Sequence, residues 1–138
     1  MNTRTVRPTD DTAERLKAEA ARAQRRASDP DASVWVGASA GTGKTKVLTD
    51  RVLSLLLAGT PPARVLCLTF TKAAAAEMAN RLADRLAAWA TIGDDKLDAH
   101  LEDLLGRPPA DADRRRARQL FALVLDTPGR MKIQTLHA

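Results

Sequence analysis

The chain has 138 residues, 44% of them hydrophobic and 28% charged; that length suits one ordinary domain, and that composition excludes disorder and collagen-like repeats. No apolar run approaches the roughly 20 residues of a membrane-spanning helix, and the polar start reads as no secretory leader, so the cytoplasm is the expected compartment and a membrane is not an expected partner. One cysteine, Cys67, with two histidines excludes both a disulfide scaffold and a zinc finger. The net charge of +5 fits a polyanion partner, but arginine outnumbers lysine 16 to 6 and alanine is abundant, which a biased genomic composition also produces. The aromatics are Trp35, Phe70, Trp89 and Phe121, with no tyrosine, so any base-stacking platform is small.

In chain order, Ala13 to Ala27 is rich in helix formers, with Leu16, Ala20, Ala23 and Ala27 at helical spacing. Ser28-Asp29-Pro30-Asp31 ends that helix. Ser33 to Gly37 (SVWVG) is β-branched and aromatic and predicts a short buried strand. A glycine-rich loop follows, then Lys44 to Ala58, a helix with Val47, Leu48, Val52, Leu55 and Leu56 on one face and Gly59 as its C-terminal cap. After Pro61-Pro62, Arg64 to Phe70 (RVLCLTF) predicts a second buried strand. Lys72 to Ala90 predicts a long helix whose packing stripe is Met78, Leu82, Leu86 and Trp89. Two shorter helical segments, Leu97 to Leu105 and Ala112 to Leu125, flank Gly106-Arg107-Pro108-Pro109. Met131 to Leu136 (MKIQTL) predicts a third strand. Strand, helix, strand, helix in this order implies an α/β fold with a parallel sheet. Because the chain stops at Ala138 just after a strand, it reads as the N-terminal piece of a longer protein.

The strongest motif is Ala38-Ser39-Ala40-Gly41-Thr42-Gly43-Lys44-Thr45, a P-loop with alanine in place of its first glycine. Glycines let successive N–H groups turn inward onto phosphate oxygens, and the following helix adds the positive end of its dipole. Lys44 would reach the β- and γ-phosphates and the Thr45 hydroxyl would hold Mg²⁺, which makes both the expected catalytic residues. A second block, Leu68-Thr69-Phe70-Thr71-Lys72, sets an aromatic between hydroxyls at a strand end with a lysine beyond, which suits base stacking plus a phosphate contact; equally, Phe70 could be the last core residue of its strand. Arg114-Arg115-Arg116 with Arg118, interleaved with Asp111 and Asp113, is either a solvated face or a patch for duplex or partner. Cys67 reads as a buried small hydrophobe and Trp89 as core.

These blocks resemble the superfamily-one helicases of the UvrD/Rep/RecB type. Their motif after the second strand is similar to Thr69-Phe70-Thr71-Lys72-Ala73-Ala74 with Glu77-Met78 beyond, and Ile133-Gln134-Thr135-Leu136-His137-Ala138 resembles their Thr-x-His motif. The resemblance implies that Thr69, Phe70, Thr71, Lys72, Thr135 and His137 contact single-stranded DNA, with Phe70 stacked on a base. It also implies that Gln24, which precedes Lys44 by 20 residues, is the glutamine that reads the adenine edge of ATP, a role suited to an amide that both donates and accepts; the bland alternative is a solvated helix residue. Within the family the likeness is strongest to AddA-type subunits of double-strand break repair helicase–nucleases, on Gln24-Arg25-Arg26-Ala27-Ser28-Asp29-Pro30, on the run from Leu66 to Met78, where most relatives have an asparagine before the lysine, and on Lys132 to Ala138.

The resemblance implies a P-loop NTPase (RecA-like) parallel sheet flanked by helices, incomplete at the C-terminus. Residues 1–30 would be an N-terminal helical segment with the Q motif, and 31–138 the first part of the ATP-binding domain, with a helical insertion at about 91–128. The implied activity is an ATP-dependent DNA helicase that couples hydrolysis to translocation on single-stranded DNA, with ATP and Mg²⁺ as cofactors. The implied partners are single- or double-stranded DNA and an AddB-like subunit. No acidic pair ends a hydrophobic strand after Lys44, and no second motor domain or nuclease domain is present, so this stretch alone is expected to hydrolyse almost nothing. Two alternatives remain open at this point: another P-loop NTPase such as a nucleotide kinase, and a non-catalytic DNA-binding fragment.

Overall fold

The computed structural model describes residues 10–37, 43–126 and 131–136. Five helices carry most of it: α1 (Asp10–Ser28), α2 (Lys44–Leu57), α3 (Lys72–Thr91), α4 (Asp94–Leu105) and α5 (Asp111–Asp126). Two short strands, β1 (Leu66–Thr69) and β2 (Lys132–Thr135), complete it, with a 3-10 turn at Pro62–Arg64.

Each helix boundary has a local cause. The end of α2 is a Schellman motif, in which Thr60 N–H donates to the Leu55 carbonyl and Gly59 N–H to that of Leu56. The motif needs a left-handed residue, and Gly59 has φ +102°, where any side chain would be strained. Thr71 caps α3 by accepting from Ala74 N–H at 3.1 Å, and Asp113 caps α5 by accepting from Ala110 N–H at 2.8 Å, each satisfying an otherwise orphaned donor. Arg25 and Arg26 occupy the last turn of α1, where positive charge meets the negative end of the helix dipole.

The core is helical. Val52, Leu53, Leu56 and Leu57 of α2 meet the α3 stripe Met78, Leu82, Leu86 and Trp89, and α4 and α5 close it with Leu97, Leu101, Leu104, Ala117 and Leu120. The α3 stripe is buried as its spacing predicts. The expected face of α2 is corrected: Leu48 is exposed and Leu55 only partly covered, while Thr49, Asp50 and Ser54 are buried. This helix is covered on two sides, by α1 and by the α3–α5 group, so polar residues go under where they find partners; Thr49 Oγ1 donates to the Thr45 carbonyl at 2.8 Å, and Asp50 accepts from Lys46 at 2.6 Å. The expected stripe of α1 is corrected too, since Leu16, Ala20 and Ala23 are exposed and only its end, Ala27 and Ser28, is buried.

Of the α5 arginines, Arg115 is exposed, whereas Arg114, Arg116 and Arg118 reach groups on neighbouring helices. Arg118 donates to the Trp89 carbonyl at 3.0 Å and to that of Ile92, two carbonyls at the end of α3, and pairs with Asp94 at the start of α4. Arg116 reaches the Leu56 carbonyl of α2 at 3.1 Å, and Arg114 pairs with Asp98 of α4 and with Asp111. They are staples between helices.

β1 and β2 run parallel, with Leu66 opposite Lys132, Cys67 opposite Ile133, Leu68 opposite Gln134 and Thr69 opposite Thr135. The chain between them passes through α3, α4 and α5, a crossover of the kind parallel strands require. Burial alternates: Cys67 and Ile133 pack on the core, while Leu66 and Leu68 face outward. Among the described residues the sheet has these two strands only. The strand expected at Ser33 to Gly37 is therefore corrected. Its β-branched residues favour extended backbone, but a strand exists only through a hydrogen-bonded neighbour, and here Val34 and Val36 are exposed and Trp35 is 95% exposed. No helix of the described residues is long and apolar enough to cross a membrane.

Candidate functional site

Of the P-loop, Gly43, Lys44 and Thr45 are described; Ala38, Ser39, Ala40, Gly41 and Thr42 lie outside the described residues. Gly43 has φ +88° and ψ +21° and stands at the N-cap of α2, a left-handed turn that a glycine takes without strain. Its carbonyl accepts from Val47 N–H at 3.1 Å and so opens the helix. Among the described residues no side chain caps this terminus, and its first turn holds no acidic residue. The first N–H groups of α2 therefore have no competing carboxylate, which is the condition for binding an anion there. Lys44 is exposed and Thr45 half-buried. Lys44 also borders a cavity of about 190 Å³ lined by Val34, Val36, Val47 and Arg51.

The structure brings Gln24 to this terminus. Gln24 Nε2 lies 3.8 Å from the point a Gly43 Cβ would occupy, so the amide stands beside the end of the loop although 19 residues separate them in sequence. Gln24 is half-buried, unlike a freely solvated helix residue. These groups fit a nucleoside triphosphate: N–H groups and a lysine for phosphate, a hydroxyl at Thr45 that would hold a cation, and an amide for a base edge. Three or more His, Cys, Asp or Glu side chains that could hold a metal by themselves are found nowhere among the described residues.

The second block lies at the C-terminal end of the two strands. Thr69 and Thr135 are register partners there, and Leu136 N–H extends the ladder to the Thr69 carbonyl at 2.9 Å. Thr69 Oγ1 donates to the Thr71 carbonyl at 3.0 Å, which shapes the bend that carries Phe70. Phe70 is 79% exposed, so among the described residues it is not packed into the core. Thr71 has its hydroxyl oxygen engaged as the α3 cap, and Lys72 opens α3 in an exposed position. Lys72, Gln134 and Thr135 border an open groove of about 440 Å³. The structure thus gathers Thr69, Phe70, Thr71, Lys72 and Thr135, while His137 lies outside the described residues.

Three residues were missed by motif reading. Asp50 is buried and pairs with Lys46 and, at 3.5 Å, with Arg85 of α3, whose guanidinium lies 6.0 Å from the Trp89 ring centroid. Arg51 binds three carbonyls in the segment that joins α1 to the P-loop. Gln134 lines the groove beside Lys72. The legible signal for Asp50 and Arg51 was a charged pair set inside an otherwise apolar helix. Cys67, expected to be buried, is half-buried, and desolvation raises its thiol pKa above the ordinary value.

The model of the UvrD/REP helicase N-terminal domain matches residues 19–138. The chain is 47% identical over 76 residues to the AddA subunit of the ATP-dependent helicase/nuclease of Oenococcus oeni, covering 55% of this chain and 6% of that protein. With the protein of the same name from Latilactobacillus sakei it shares 37% over 116 residues, 83% of this chain and 11% of the relative; with that from Carboxydothermus hydrogenoformans it shares 53% over 57 residues, 39% of this chain and 5% of the relative. The chain thus spans about a tenth or less of the length of these relatives. No solved structure matches it. Because the family match runs from the second half of α1, through Gln24 and the P-loop, to β2 and the end of the chain, the protein belongs to the UvrD/REP helicase N-terminal domain family, on the side of AddA-like helicase/nuclease subunits.

Proposed function

We propose that this chain is the ATP-binding part of the motor of a DNA helicase–nuclease in double-strand break repair, and that it couples ATP hydrolysis to translocation on single-stranded DNA. One observation carries the reading: Gln24 stands beside Gly43 at the N-terminus of α2, a helix end with, among the described residues, neither a capping side chain nor an acid in its first turn. The relatives' names, which mark them as one subunit of an ATP-dependent helicase/nuclease, support a helicase in a multi-subunit complex whose partners are single- or double-stranded DNA and an AddB-like subunit. On this reading β1 and β2 belong to a RecA-like sheet, residues 1–30 are the Q-motif segment, and 31–138 begin the ATP-binding domain with a helical insertion at about 91–128.

ATP bound with Mg²⁺ would supply the phosphoryl group whose hydrolysis drives stepping. The chain's own residues hold it. The Gly43 turn and the first N–H groups of α2 would take phosphate oxygens, Lys44 would offset charge on the β- and γ-phosphates, the Thr45 hydroxyl would hold Mg²⁺, and Gln24 would read the base. At the strand ends Phe70 stacks on a base, and Lys72 and Thr135 meet the strand's backbone. In the intact protein, Lys44→Ala should abolish DNA-stimulated ATP turnover and unwinding while single-stranded DNA binding is retained, because the charge removed faces phosphate of the nucleotide. Unwinding at the wild-type rate refutes the P-loop role. Turnover indifferent to DNA but dependent on a small phosphoryl acceptor would mark a nucleotide kinase instead, and DNA binding with no nucleotide turnover a non-catalytic fragment.

A further inference from the structure

Between Gln24 and the P-loop the chain must turn, and the turn is compact. Ser28 Oγ donates to the Arg25 carbonyl at 3.1 Å. Asp31 N–H donates to Asp29 Oδ1 at 2.9 Å, an Asx turn in which a short side chain replaces a backbone acceptor. Three carbonyls here, those of Ala27, Asp29 and Ala32, are directed toward α2, that of Asp29 also accepting from Ala32 N–H at 3.4 Å. One guanidinium takes all three: Arg51 Nη1 donates to Ala27 at 3.2 Å and to Asp29 at 2.8 Å, and Nη2 donates to Ala32. A planar fork with fixed donor directions can serve three acceptors at once, which a lysine ammonium on a flexible stem does poorly. Arg51 stands two turns along α2 from Gly43 and Lys44, so it fixes the end of α1 onto the helix that begins the phosphate site.

We infer that Arg51 is a positioning residue for base recognition: by locking the 27–32 turn onto α2 it sets the distance between Gln24 and the N-terminus of α2, and so selects adenine over guanine nucleotides. The inference rests on the base-reading role proposed for Gln24. The amide can accept from the amino group of adenine and donate to its N7; guanine offers a carbonyl in place of that amino group and meets the amide's oxygen with its own. Such discrimination depends on placement within hydrogen-bond reach. With the staple cut, α1 can shift relative to α2, and the phosphate contacts, which belong to α2, stay as they are.

The test uses the intact protein and compares ATP with GTP as substrates of DNA-stimulated hydrolysis for wild type, Gln24→Ala, Arg51→Lys and the double variant. Arg51→Lys should raise the KM for ATP and lower the ATP-over-GTP preference by about 5–10-fold, the scale of one lost hydrogen bond, with kcat at saturating ATP unchanged. Gln24→Ala should likewise raise the KM for ATP and lower the preference, and the double variant should lose no more preference than either single one, because both act through one contact. Arg51→Lys that keeps full base preference while Gln24→Ala loses it overturns the inference and leaves the role of Gln24 standing. Gln24→Ala that keeps full preference overturns the base-reading role, and this inference falls with it. An Arg51→Lys protein that does not fold, or that loses kcat and KM together, marks Arg51 as a stability element only and also overturns it.

Discussion

Phe70→Ala separates a DNA contact from a packing role, and the fold sets the expected size of each. A phenylalanine truncated in a core costs about 3–5 kcal/mol. Phe70 is 79% exposed, so only about a fifth of its surface is withdrawn from water. At about 1.5–3 kcal/mol for full burial of such a side chain, the truncation should cost roughly half a kcal/mol of stability, a melting shift of only a few degrees. Stacking on a base is worth about 1–3 kcal/mol, which weakens single-stranded DNA binding by roughly 5- to 150-fold. The assay is fluorescence anisotropy with a labelled oligonucleotide at several salt concentrations, beside thermal melting of the same proteins. The loss on Phe70→Ala should depend little on salt, because stacking releases no counterions; Lys72→Ala, if that lysine meets a phosphate, should instead lower the salt slope by somewhat under one unit. Phe70→Leu keeps most of the volume and loses the π-face. Phe70→Leu with normal folding and wild-type DNA affinity refutes the stacking role, and Phe70→Ala that melts far earlier refutes the exposed placement.

Two further predictions concern the helical part. Arg118→Ala removes the donor shared by the Trp89 and Ile92 carbonyls and the partner of Asp94; it should cost about 2 kcal/mol and lower the melting temperature by several degrees, and an unchanged melt refutes the staple. The Asp113 carboxyl is held below the usual carboxylate range, first by its hydrogen bond from Arg107, and it also caps α5. A lowered pKa contributes stability above the unfolded value, about 3.9, that is lost as pH falls through the folded one, so Asp113→Asn should be less stable than wild type at pH 7 and converge with it in acid. A gap that stays constant down to the acid limit sinks the assignment.

What was legible in the sequence is what local physics decides. Met78, Leu82, Leu86 and Trp89 recur at helical spacing and are buried, because one continuous neighbour surface covers that face. Gly59 was legible as a cap because only a left-handed residue completes the Schellman bonds. Of the strands, LCLT and KIQT found each other, while SVWVG, with the same local preference, forms no ladder. Propensity acts on one residue at a time, whereas a ladder needs a second segment at the right register, which composition does not encode. The same limit explains α2, where the covering elements come from both sides and the buried set includes Thr49, Asp50 and Ser54. Of the candidate site, the motif blocks were legible from residue type and order. Their convergence was not: nothing in the spacing of Gln24 and Gly43 says that α1 folds back onto the start of α2.

The arginines show how far a net charge can mislead about a partner. A surplus of +5 invites a broad basic surface for DNA, yet the structure ties five of the arginines to carbonyls or carboxylates of neighbouring elements. Arg51 serves three backbone carbonyls, Arg116 one on α2, Arg118 two at the end of α3, and Arg85 and Arg114 meet carboxylates on neighbouring helices. Guanidinium suits this work because it is weakly hydrated and carries several donors in a fixed plane, so it can satisfy the unpaired carbonyls that every helix end leaves. A cation held this way keeps its charge but loses the freedom to follow a phosphate. The basic groups offered at the strand ends then reduce, among the described residues there, to Lys72 beside the exposed ring of Phe70. On the proposed reading, such a surface would meet a single strand through stacking and a few phosphate contacts rather than through a broad cationic face.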